Sequence, residues 1–251
     1  MTPSLIIANW KMHKTISEAQ AFCRDFIVLS RGLKKTTVVI CPPFTALAAV
    51  AASLKSSDIK LGAQDVHWEA KGAYTGEISP DQLVDAGCRY VIIGHSERRQ
   101  ILGETDIMIR KKVKAALGAG LIPILCVGET LQERQENKAY EIVEQQITGA
   151  LKDIEFTEED LVIAYEPVWA IGTGVNASYQ DADEMAAHIR TCLQNINTRV
   201  MAAKIPLLYG GSVKADNFAE FLQGSINGAL VGGASLEADS FFQIVRLCES
   251  A

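Results

Sequence analysis

Short apolar runs rich in β-branched residues recur along the chain, each followed by a longer stretch of mixed polarity. Eight such runs occupy residues 5–8, 37–41, 59–63, 90–93, 122–127, 161–165, 205–209 and 228–231. They are continuous rather than alternating, the pattern of strands buried on both faces of a parallel sheet. The stretches between them carry helix signals. Ser17-Glu18-Ala19-Gln20 and Thr130-Leu131-Gln132-Glu133 have capping-box spacing, and Ser79-Pro80 sets a cap ahead of a first-turn proline. Ala139, Ile142, Val143, Ile147 and Leu151 follow the helical period, and Gly118 and Gly120 stop a helix ahead of the fifth run.

Eight βα units in 251 residues, with no linker and no break in composition, predict one α/β domain over 1–251. The expected architecture is a closed (β/α)8 barrel of parallel strands with outer helices. An open doubly wound sheet is the competitor, but it would carry a dinucleotide fingerprint after its first strand, and residues 5–8 lack one.

Composition narrows the function. The chain is 48% hydrophobic and 22% charged, which excludes a disordered or linker-dominated protein. Lys plus Arg is 24 against 30 Asp plus Glu, a net charge of −6 that argues against nucleic acid as a partner. The one tight basic cluster, Arg110-Lys111-Lys112, reads as a solvated helix face. Six cysteines, at 23, 41, 88, 126, 192 and 248, show no CxxC spacing and are expected to be buried free thiols in a reducing compartment. Neither a secretory apolar segment nor a run near the ~20 residues of a membrane span is present. A cytoplasmic protein without a membrane partner is expected.

In a barrel of this kind chemistry sits where strands end. The first run is followed by Asn9-Trp10-Lys11, the third by Gln64-Asp65 and the fourth by Gly94-His95-Ser96-Glu97-Arg98. The sixth leads into Glu166-Pro167, the seventh into Gly210-Gly211-Ser212 and the eighth into Gly232-Gly233. Glu166, at a partly apolar strand end, can have a raised pKa and serve as a general base, although a salt-bridge role fits its position equally well. His95 lies ahead of a short polar stretch that opens a helix, where positive charge is disfavoured, so a neutral imidazole could donate to a substrate oxygen. Lys11 could hold an anion. The two glycine pairs, each ahead of a helix start, predict a phosphate site. His13, His67 and His188 have no metal-ligand spacing, so no metal is expected. Residues 167–174 (Pro167, Val168, Trp169, Ala170, Ile171, Gly172, Thr173 and Gly174) are short, apolar and bounded by Pro and Gly, like a lid. Gly172 to Ala177 also fits a loose dinucleotide pattern, but its distance from the strand end makes that match false.

Together with Tyr74-Thr75-Gly76-Glu77, Gly62-Ala63-Gln64 and Tyr165-Glu166-Pro167-Val168-Trp169-Ala170, these motifs stand in an order that closely resembles the triosephosphate isomerase family along essentially the whole chain. The resemblance implies a TIM barrel that interconverts dihydroxyacetone phosphate and D-glyceraldehyde 3-phosphate through an enediolate, in glycolysis and gluconeogenesis, with no metal and no organic cofactor. It implies Glu166 as base, His95 as electrophile, Asn9, Trp10 and Lys11 at the substrate, and Glu97 in support. Gly172, Ser212, Gly232 and Gly233 would hold the phosphate. It further implies a homodimer in which the long 64–79 loop, with Thr75, Gly76 and Glu77 at its tip, inserts beside Lys11 and His95 of the neighbouring subunit. Two departures stand out: His13-Lys14 replaces a frequent Asn-Gly, and Asp65 replaces a frequent Asn. Other readings of the same residues are a sugar-phosphate epimerase or aldolase, or a barrel that binds phosphate without catalysis.

Overall fold

A computed structural model describes residues 4–171 and 177–250. Strands β1 (Ser4–Asn9), β2 (Thr36–Cys41), β3 (Lys60–Ala63), β4 (Tyr90–Ile93), β5 (Ile122–Val127), β6 (Val162–Tyr165), β7 (Leu207–Tyr209) and β8 (Gly228–Val231) close into a barrel in chain order. Every pairing is parallel, and Leu5 sits opposite Gly228 where β8 returns to β1. The outer layer contains α1 (Ile16–Leu29), α2 (Leu47–Leu54), α3 (Pro80–Asp85), α4 (Ser96–Gln100), α5 (Asp106–Gly118), α6 (Leu131–Gln135), α7 (Ala139–Leu151), α8 (Tyr179–Ile196) and α9 (Ala238–Ser250).

The continuous apolar runs are explained by two separate cores. Leu5, Ile7, Val39, Ile92, Ile124, Val162, Leu208 and Leu230 fill the barrel interior. Their alternate neighbours, among them Ile6, Ile40, Val91, Ile93, Leu125, Ile163 and Ala229, face outward into the cluster that includes Phe22, Phe26, Val143, Ile189 and Phe241 from the helices. A strand between two apolar layers has no polar side to show.

Caps follow the predicted chemistry with one correction. Ser79 and Thr130 cap α3 and α6 with full capping boxes. At α1 the cap is Thr15 rather than Ser17: Thr15 is extended at ψ 169°, and the Glu18 carboxylate accepts from its N–H at 2.7 Å. A charged acceptor outcompetes the Gln20 amide that a Ser17 box would have used. Ile205 lies outside β7 because it closes a 3-10 turn, its N–H donating to Ala202 O at 3.3 Å.

The basic cluster on α5 is not a solvated face. Arg110 pairs with Asp153 and Lys111 lies over the Trp68 ring, but Lys112 is buried against Asp65 and Glu104. Asp65 also takes Arg98 at 2.8 Å, so two cations and two carboxylates balance inside the fold. The other departure is accommodated locally. Lys14 adopts the left-handed φ of 73° that suits glycine, with its ammonium over Trp10 and Phe22. The six cysteines are buried and unpaired. No helix among the described residues is long and apolar enough to cross a membrane.

Candidate active site

At the C-terminal mouth a cleft of about 690 Å³ is lined by Asn9, Lys11, His95, Glu166, Ile171, Ser212, Gly232 and Gly233, with Gly210, Lys214 and others. That size suits a small ligand. Lys11 leaves β1 in the left-handed region at φ 51°, a conformation costing about 1–3 kcal/mol for a non-glycine residue. Two amide side chains hold it there: Asn9 Oδ1 accepts the Lys11 N–H at 3.0 Å, and Gln64 Nε2 donates to Lys11 O at 2.9 Å. The Lys11 ammonium reaches Glu97 at 2.6 Å.

His95 ends the β4 turn and caps α4. Its Nδ1 accepts the N–H of Glu97 at 3.2 Å, while Nε2 faces Glu166 Oε1 at 3.1 Å. The ring's proton therefore sits on Nε2, and a second proton on Nδ1 would break the cap and face the first turn of α4. Burial opposes the charged ring and Glu166 favours it; in the unliganded site this pairing draws the His95 pKa upward.

Glu166 is buried, with Oε2 accepting the Ser96 N–H at 3.0 Å. The expected upward pKa shift is overturned here. Burial pushes the carboxyl up, but His95, the Ser96 N–H and Lys11 outweigh it and hold it below its ordinary value. Two glycines shape its seat. A Cβ at Gly128 would fall 1.7 Å from Glu166 O, and one at Gly210 would fall 2.8 Å from Glu166 Cγ.

Trp10 is not brought to the cleft. Its ring is fully buried against Phe22, and Nε1–H donates to Ser235 O at 3.1 Å, so it anchors the β1 end from behind. Of the lid stretch, Val168–Ala170 forms a 3-10 turn and Ile171 reaches the cleft; Gly172, Thr173 and Gly174 lie outside the described residues. Glu129 holds the near end: it accepts from Trp169 Nε1 at 2.8 Å and from the Tyr165 hydroxyl, and pairs with Arg134. Ser212, Gly232 and Gly233 line the cleft together, but a 3-10 turn follows each glycine pair (Phe218–Gln223 and Gly233–Ser235) in place of the expected α-helix start, α9 beginning only at Ala238. Thr75, Gly76 and Glu77 form an exposed turn away from the cleft of their own chain. Sequence reasoning missed the parts played by Ser96, Gly128 and Glu129, and it read Gly210 as half of a phosphate-binding pair, not as the seat of Glu166, because Ser96 acts through its backbone and the glycines through absent side chains. Glu129 carried a readable signal, a lone acid at the end of the fifth run.

A closed parallel barrel with a buried carboxylate–imidazole pair and a lysine at its mouth defines an acid–base enzyme of the (β/α)8 class, acting on a small anion. A family model described as triosephosphate isomerase matches residues 4–248, and the chain belongs to that family. The triosephosphate isomerase of Dictyoglomus thermophilum is 51% identical over 248 residues, covering 98% of this chain and 100% of the relative. That of Moorella thermoacetica is 53% identical over 251 residues, covering 98% and 99%. The crystal structure of triosephosphate isomerase from Bartonella henselae superposes with a TM-score of 0.90 at 41% identity, covering 98% of this chain and 99% of that one. The chain is accordingly an aldose–ketose isomerase of glycolysis, with triose phosphates as substrates. The epimerase and aldolase readings find no support in these matches.

Proposed function

We propose that Glu166 is the base that moves the proton between the two reacting carbons, with His95 and Lys11 carrying the charge that develops on oxygen. The observation behind this reading is the Glu166–His95 contact at 3.1 Å in the same cleft as Lys11. The unliganded carboxylate is occupied, one oxygen by His95 and the other by Ser96 N–H. A substrate seated between the two side chains removes the His95 bond, one of the contacts that hold the carboxyl pKa down, so the desolvated carboxylate becomes more basic. That carboxylate takes a proton from C1 of dihydroxyacetone phosphate, and the electron pair moves to the C2 oxygen, giving an enediolate. His95 Nε2–H protonates the C2 oxygen and the ring takes up the C1 hydroxyl proton in exchange, the Lys11 ammonium offsets the negative charge, and Glu166 returns its proton to C2 as the C1 oxygen forms the aldehyde carbonyl. Ser212, Gly232 and Gly233 hold the phosphate, and Asn9 and Glu97 position Lys11. Segment 167–174 covers the reacting atoms from water, tethered through Glu129. Glu166→Asp tests the base: one methylene of retraction should lower kcat by about 10²-fold with the fold intact. Unchanged kcat would remove Glu166 from the role.

The whole chain works as one barrel domain, and two copies pair. Met12 (95% exposed), Phe44, Tyr74, Ile101 (76%) and Leu102 project from the loops after β1, β2, β3 and β4, and exposed apolar groups gathered on one side favour burial against a partner. The 64–79 loop supplies the inserting element. Light scattering should give about twice the 27.2 kDa chain mass; a fully active monomer at nanomolar concentration would contradict the pairing. Six buried free thiols support a reducing, cytoplasmic setting.

A further inference from the structure

Away from the barrel mouth, three side chains of different ligating chemistry meet in the outer helical layer. Glu144 on α7 and His188 and Cys192 on α8 bring one ligand atom each to within 4.8 Å of one another. His188 and Cys192 are four residues apart, hence on one face of α8, and Glu144 comes from the neighbouring helix that packs along it. Cys192 Sγ lies 3.4 Å from His188 Nε2. Sulfur and nitrogen ligands of one tetrahedral zinc, at about 2.3 and 2.0–2.1 Å from the ion, stand about 3.5 Å apart. The His188–Cys192 pair, half-buried and buried, therefore already has the spacing a shared ion requires. Glu144 is the exposed member, its carboxylate within 4.8 Å of both other ligand atoms and free to rotate inward to complete the triangle.

We propose that Glu144, His188 and Cys192 form a site for one thiophilic divalent cation of the zinc class, with water at the fourth position. Thiolate plus imidazole selects such an ion over magnesium or calcium, which take all-oxygen sets. The imidazole ring is already held edge-on to Tyr140 with centroids 5.0 Å apart, although without an ion its Nε2 is taken by the Tyr140 carbonyl at 3.1 Å. On binding, the neutral ring carries its proton on Nδ1 in place of Nε2, the Tyr140 carbonyl gives up that contact, and Cys192 releases one proton to solvent. None of the three residues lines the catalytic cleft, so the ion takes no part in the isomerisation. It joins α7 to α8, the helices that flank β6 and the lid segment, and acts on stability. Neither H-x-H nor CxxC spacing marks this set in the sequence, because its third member comes from another helix.

The test uses the full-length protein, stripped with a chelator and titrated with cobalt(II) as a spectroscopic probe, then with zinc in competition. The expected result is one ion per chain, the visible bands of tetrahedral cobalt, a thiolate-to-cobalt charge-transfer band and a higher thermal midpoint in zinc. His188→Ala and Glu144→Gln, both outside the buried core, should keep isomerase activity, with affinity at least tenfold weaker for His188→Ala. Cys192→Ser should lose the charge-transfer band. A titration without that band, or binding that His188→Ala leaves unchanged, overturns the assignment.

Discussion

Gly210→Ala places one methyl group against the base and the carbonyl that precedes it. Its Cβ would sit 2.8 Å from Glu166 Cγ and 3.3 Å from Tyr165 O, where ordinary contact begins at 3.4 Å. The Glu166 Cγ must retreat by about 0.6 Å, and the shift grows along the side chain toward the carboxylate. It has nowhere free to go: the side chain is 3% exposed, His95 and the Ser96 N–H hold its two oxygens, and Gly128 closes the space beneath its carbonyl. Misplacement of a catalytic group by about 1 Å costs on the order of 10²-fold, so kcat should fall about 10- to 100-fold while KM changes little. Overpacking costs about 1–3 kcal/mol, partly offset by about 0.4–1 kcal/mol from the stiffer unfolded chain. A net loss of about 1–2 kcal/mol lowers the melting temperature by several degrees and leaves the protein folded at 25 °C. Steady-state kinetics with circular-dichroism melting reads both effects. Gly118→Ala, where a Cβ meets nothing within 4 Å, is the control and should keep its kcat. A folded Gly210→Ala enzyme with wild-type kcat would refute the claim that this glycine seats Glu166.

Three further outcomes follow from charges and backbone. In Glu166→Gln the group that draws the His95 pKa upward is gone, so NMR should find His95 titrating lower than in the wild type; an unmoved titration would show that the two are not coupled. Lys112→Met leaves Asp65 and Glu104 buried with Arg98 alone and should cost about 3–5 kcal/mol in urea unfolding at pH 7. Losing the cation raises both carboxyl pKa values in the folded state, so the variant binds protons on folding, and its deficit should shrink as pH falls from 7 toward 5; a deficit that widens reverses the sign of the reasoning. Lys14→Gly relieves a left-handed lysine but loses its contact with two rings, and should change the melting temperature by only a degree or two; a large loss would mean that the ring contacts dominate.

What the sequence determined by itself is what local physics enforces. Continuous β-branched runs can only be strands apolar on both sides, and eight of them separated by capped helical stretches leave a closed parallel barrel as the economical arrangement. Because that fold gathers strand ends at one mouth, the order of Asn9, Lys11, His95 and Glu166 after their runs was enough to bring them to one cleft on paper. The ionisation of the pair was not legible. Glu166 read as a carboxylate raised by an apolar setting, yet its pKa is decided by His95 and Ser96, seventy residues away, which only the closed barrel sets against it. Trp10 was misread for the same reason: adjacent to Lys11 in the chain, its side chain points to the opposite side, where Ser235, 225 residues on, accepts its indole N–H. Asp65 looked like a loop substitution until α5 delivered Lys112 to it. Glu144 stands on a different helix from His188 and Cys192, so no spacing rule could join them. Strand and helix identity follow from neighbours along the chain, whereas pKa values, buried charge balance and the absence of room for a Cβ depend on groups that come together only when the barrel closes.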